Sequence, residues 1–184
     1  GHGHHTAGTM AGAGNIQPKY RGILPKSTII TNEYSNILFN TPLYKSLFNM
    51  VLTNNSYGAV VGDCNYEGVY DDLAKSTDEL ILAYPEVNHV FAAGNEGGLS
   101  CTNYGKGQST ILGGYQSSKN ATIVGNILMT DIINASSSQG PTKIDLRLKP
   151  DVVAYGNAVI STIPNDTYAT AYGTSMSSPA VAGV

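Results

Sequence analysis

An α/β fold, with a largely parallel sheet flanked by helices, is predicted by three observations. Short apolar runs recur at 27–31, 51–54 and 89–93, the first of them rich in β-branched residues. Segments of helical spacing alternate with them, the pattern of strand–helix–strand crossovers. The chain has 184 residues and 41% apolar residues, the length and core content of one domain.

The elements follow in order. Residues 5–12 are small and glycine-rich, predicting a helix that can approach a sheet closely. Residues 27–31 predict a buried strand. Residues 38–50 have helical spacing, with Pro42 near the start, and 51–54 form the next strand. The clearest amphipathic helix spans 71–84, where Leu73, Leu80, Ile81 and Tyr84 recur at helical intervals. Asp71 and Asp72 suit its positive N-terminal end and Pro85 stops it. A strand returns at 89–93, with His89 packed on it in a structural role, and further strands are expected at 122–124, 152–154 and 159–162. The run from Ala180 to Val184 has helical character. In open parallel sheets the ligand site lies beyond the carboxyl ends of the strands. Asn95 and the Ser56-Tyr57-Gly58 turn both fall at such ends.

Composition narrows the function. The formal net charge is −3 and the pI about 5.7, with no cluster of Lys or Arg, which excludes a nucleic-acid partner. No apolar run reaches bilayer-spanning length. Charged residues are only 12% while glycines number 21, a balance that leans towards a secreted or otherwise extracytoplasmic enzyme. Cys64 and Cys101 each follow a predicted strand by several residues. If those strands are parallel neighbours, both thiols lie over one sheet edge. A disulfide in an oxidising compartment and two unpaired thiols are the two readings, and the spacing fits no zinc pattern.

Tyr172-Gly173-Thr174-Ser175-Met176-Ser177-Ser178-Pro179 places a serine among small residues at the start of a helical run. There, unpaired N–H groups and the helix dipole favour negative charge. The plain alternative is an N-cap serine. Two further blocks are His2-Gly3-His4-His5-Thr6-Ala7-Gly8-Thr9 and Phe91-Ala92-Ala93-Gly94-Asn95-Glu96-Gly97. With the serine block they resemble, in order and spacing, the His, Asn and Ser blocks of the subtilisin-like serine peptidases (subtilases). Lys149-Pro150-Asp151 and Asn55-Ser56-Tyr57-Gly58 resemble two more segments of that family.

The resemblance implies a subtilisin-like three-layer sandwich and a serine endopeptidase. Ser175 is the implied nucleophile, His5 the general base and Asn95 the oxyanion donor. Ser56, Tyr57 and Gly58 on one side, and Ala92, Ala93 and Gly94 on the other, are the implied walls of the pocket for the residue before the scissile bond. Tyr57 there suggests an aromatic or large apolar preference. Asp151 belongs to a structural turn. His4 replaces the family's usual Thr, leaving His2, His4 and His5 close together, so a metal site or a purification-tag remnant is the rival reading of that block. No cofactor is required; calcium as a structural ion is compatible with the family, without assignable ligands. The expected partner is an extended polypeptide, with the enzyme's own pro-segment as a second candidate. The strand bearing the triad Asp and the C-terminal end of the domain are expected to lie outside these residues. A catalytically inactive relative that only binds peptides is the alternative function.

Overall fold

The computed structural model describes residues 1–34, 36–59 and 62–184. Four parallel strands form the central sheet: β1 (Leu52–Asn55), β2 (Asn88–Ala92), β3 (Thr122–Ile127) and β4 (Val152–Tyr155), in that spatial order. Helix α1 (His2–Ala11) and helix α2 (Thr41–Phe48) precede β1. Helix α3 (Asp72–Ala83) is the crossover between β1 and β2. A hairpin of β5 (Val159–Ile163) and β6 (Thr167–Ala171) follows, and helix α4 (Thr174–Ala182) ends the chain.

The alternation of side chains along β2 and β3 builds two cores. Phe91 and Ile123 point to one face, where they join Leu38, Ala93, Ile111 and Ala121, with Leu80 and Ile81 of α3 packed against them. Val90 and Val124 point to the other face, against Ala182 and Val181 of α4 and Met10 of α1. The large, fully buried members, Phe91, Ile111, Ile123, Val90 and Val124, contribute about 1.5–3 kcal/mol each. Helix α3 starts where Asp71 Oδ1 accepts from the Leu73 and Ala74 N–H groups, both at 3.0 Å, so the acidic start legible in the sequence is a side-chain N-cap.

Three expectations change. Residues 27–31 form no strand, because among the described residues no neighbouring strand supplies partners for their backbone groups. The first helix begins at His2 rather than His5. Residues 159–162 belong to an antiparallel hairpin, outside the parallel sheet. Asn165 and Asp166 turn that hairpin at φ 67° and 54°, conformations that these two residue types tolerate.

His89 is the packed histidine expected. It is buried on β2 and its Nδ1 pairs with the Thr53 hydroxyl, 2.8 Å away on β1. Burial lowers its pKa to about 4 from 6.5. The neutral ring therefore belongs to the folded state. Its contribution is complete above pH 6.5 and is lost as pH falls through about 4, by about 3 kcal/mol in total. Glu67 acts in the opposite sense. Burial, then the Glu96 charge, push its carboxyl up to about 8 from 4.5. Stability tied to it is complete below pH 4.5 and lost as pH rises through about 8. Urea unfolding across pH 4–8 is expected to show falling stability at both ends, with the acid limb removed in His89→Gln and the alkaline limb in Glu67→Gln.

Candidate active site

The site is assembled where three chain segments leave the sheet at one end. Because β1 and β2 are parallel with Asn55 paired to Phe91, the 56–58 and 92–94 segments emerge side by side. The N-terminus of α4 is tied to both. Ser56 Oγ donates to the Ser175 carbonyl at 3.0 Å. The Gly94 N–H donates to Thr174 Oγ1 at 3.2 Å, and that hydroxyl lies 3.2 Å from the Gly94 carbonyl.

Asn95 is held by the same helix start. Its Oδ1 accepts from the Thr174 N–H at 3.0 Å and lies 3.3 Å from the Thr174 hydroxyl. A backbone N–H can only donate, so the oxygen of the carboxamide must be the atom facing it. The Asn95 NH₂ group is then directed away from that bond, as a donor. Gly173 makes the approach feasible: it sits at φ 123°, and a Cβ there would lie 2.9 Å from Asn95 Oδ1.

Ser175 is partly exposed in the first turn of α4, where backbone N–H groups have no intrahelical acceptor. Ser177 and Ser178 are fully buried, and Ser178 Oγ is engaged with Asn54 Oδ1 at 2.7 Å. Of the three serines, only Ser175 is open to solvent. Ser175, Asn95 and both wall segments are thus gathered together. Thr174 ties Gly94 and Asn95 to the start of α4, while Ser56 reaches the Ser175 carbonyl directly.

His5 is engaged at the β5–β6 hairpin. Its ring is 3% exposed, and its Nε2 lies 3.2 Å from the Val159 carbonyl and 3.1 Å from that of Ala169. Two carbonyl oxygens require an N–H between them, so Nε2 carries a proton and has no lone pair to offer. His5 fastens α1 to the β5–β6 hairpin. His2, one turn earlier, is exposed and lines a groove shared with Asn54, Ser56 and Tyr57. Partial desolvation against the groove, then the neighbouring His5 ring, hold the His2 pKa below its ordinary value, favouring the neutral, proton-accepting imidazole.

The groove has a volume of about 900 Å³. Residues 27–32 line one side and 51–54, including the outer edge of β1, line the other. Among the described residues, no three His, Cys, Asp or Glu side chains converge as metal ligands. Cys64 and Cys101 are bonded in a disulfide with a Cα separation of 5.1 Å. It joins the loops that follow β1 and β2. No helix among the described residues is long and apolar enough to cross a membrane.

The subtilase family profile matches residues 1–184. Subtilisin of Bacillus pumilus is 31% identical over 99% of the chain, which covers 60% of that protein. Subtilisin E of Bacillus subtilis is 30% identical over 99% of the chain and 44% of its own length. The chain thus spans about half the length of these curated relatives. Among solved structures, a cold-adapted subtilisin-like serine proteinase superposes with a TM-score of 0.66 at 20% identity, over 100% of this chain and 59% of its own. The Clostridium perfringens CspB protease superposes with a TM-score of 0.71 at 16% identity, over 100% of this chain and 67% of its own.

Proposed function

The chain belongs to the subtilase family, and from that membership and the site's geometry we propose that it serves a serine endopeptidase working through an acyl-enzyme on Ser175. The observation that supports this most is the pinned Asn95 carboxamide, whose NH₂ group faces away from Thr174 beside the start of α4.

In this reading His2 removes the proton from Ser175 Oγ as that oxygen attacks the peptide carbonyl carbon. The carbonyl π electrons move onto oxygen, where Asn95 Nδ2 and the Ser175 N–H donate to them. Collapse breaks the C–N bond, and His2 returns its proton to the leaving amine. Water then attacks the acyl-enzyme by the same route. We place the carboxylate that orients His2 on an extended segment filling the groove between residues 27–32 and the free edge of β1. The substrate is an extended polypeptide laid along the 56–58 and 92–94 edges. No organic cofactor takes part. The disulfide favours an extracytoplasmic setting.

A fluorophosphonate probe tests the reading on the full-length protein. Labelling that disappears in Ser175→Ala is expected; absent labelling of the wild type would instead favour an inactive peptide binder. Asn95→Ala is expected to lower kcat by about 10²–10³, or ~3 kcal/mol of barrier, the size known for the corresponding donor in a subtilisin. Asn95→Asp keeps an acceptor for the Thr174 N–H but loses the NH₂ donor. Its kcat should fall at least as far, while its urea midpoint stays near wild type.

A further inference from the structure

We propose that Leu112 is the floor of the pocket for the residue before the scissile bond and restricts that residue to small side chains such as alanine, glycine or serine. The proposal rests on the peptidase reading above and adds to it a substrate class.

The slot lies between the segments that continue β1 and β2. Each wall carries a glycine at its third position, Gly58 and Gly94, and the Leu112 side chain is packed against both. A Cβ built on Gly58 would fall 2.4 Å from Leu112 Cδ1. One built on Gly94 would fall 2.5 Å from Leu112 Cγ and 2.9 Å from Cδ2. The isobutyl group therefore spans the space between the walls, in contact with bare main chain on each side.

The slot cannot widen easily. The Gln116 carboxamide is fully buried, and its Nε2 donates to the Tyr57 carbonyl at 2.7 Å and the Ala92 carbonyl at 3.0 Å. One side chain thus ties the two walls at fixed spacing. Leu112 cannot withdraw either. Its N–H donates to the Ala93 carbonyl at 3.3 Å, and its own carbonyl accepts from Ser117 Oγ at 3.0 Å. At 3% exposure it is packed on every side. The Tyr57 ring packs on Phe91 and Tyr115 and so gives the pocket its backbone rather than an aromatic surface. The proposal therefore sets a preference for small residues against the large-residue preference that Tyr57 suggested from the sequence. A close-packed slot that is already occupied admits a larger side chain only by displacing packed atoms.

The test is a series of peptide substrates differing only in the residue before the cleaved bond (Ala, Val, Leu, Phe), turned over by the full-length enzyme. The wild type is expected to favour Ala over Phe in kcat/KM by at least about tenfold, the scale on which one or two methylenes are discriminated in a pocket. Leu112→Ala should raise the kcat/KM of the Leu and Phe peptides relative to that of the Ala peptide by a similar factor, whatever it does to the absolute rates. A wild type that prefers Leu or Phe overturns the proposal and leaves the peptidase reading standing. A protein that cleaves none of the peptides and takes no fluorophosphonate label overturns both. The wild-type profile decides the matter even if Leu112→Ala folds poorly, and Leu112→Val provides a milder variant with a shift in the same direction.

Discussion

Replacing His2 by alanine is expected to lower kcat by about a million-fold while leaving the unfolding free energy nearly unchanged. The size is that known for removing one member of a serine–histidine unit in a subtilisin, and combining the change with Ser175→Ala should add little, because the two residues act together. The physical basis is the difference between two imidazoles one helical turn apart. A base needs a lone pair, access to the nucleophile and freedom from other work. His2 is exposed, lines the same groove as Ser56, and has a lowered pKa that keeps its ring neutral. His5 is buried with Nε2 committed to the Val159 and Ala169 carbonyls. His5→Ala should therefore show the converse phenotype. Losing a donor shared by two partly buried carbonyls costs about 1–3 kcal/mol of stability, with kcat per folded molecule largely retained. Stopped-time assays and urea unfolding on both variants separate the roles. An inactive His5→Ala of normal stability, beside an active His2→Ala, would return the base to His5.

That exchange of histidines marks the boundary of what the sequence can disclose. Ser175 and Asn95 were legible because each sits at the end of a recognisable element, a helix start and a strand end. Local pattern also carried α3, whose apolar spacing and acidic cap are all within fifteen residues. Which of His2 and His5 is buried depends on contacts more than 150 residues away. Gly8 lies so close to the hairpin that a Cβ on it would meet Thr162 Oγ1 at 2.1 Å, and this packing turns the His5 side of α1 inward. Residues 27–31 fail for a related reason: β-branched composition supplies a preference for extension, but a strand exists only where a neighbour answers its hydrogen bonds. Leu112 was invisible because nothing in its own neighbourhood marks it; its meaning comes from two glycines at positions 58 and 94. The hairpin turn at Asn165-Asp166 was the one missed signal that local chemistry does contain.

Opening the Cys64–Cys101 bridge is expected to lower the unfolding free energy by about 4 kcal/mol. The sequence separation is 37 residues, and closing a loop of that length removes about this much chain entropy from the unfolded state. The bridged loops lead out of β1 and β2, so the cross-link also restrains the approach to both pocket walls. The walls themselves have their own tie, the Gln116 carboxamide between Tyr57 and Ala92. Stability and chemistry should therefore respond separately. In Cys64→Ser/Cys101→Ser the urea midpoint drops, while kcat/KM on a small-residue peptide, measured well below the transition, changes by no more than about twofold. Reducing the wild type with dithiothreitol should reproduce the same midpoint, because both routes remove the same constraint. A midpoint that does not move on reduction would mean the unfolded chain is already confined by other means. A collapse of kcat/KM in the still-folded double variant would mean that the bridge, rather than Gln116, sets the spacing of the walls.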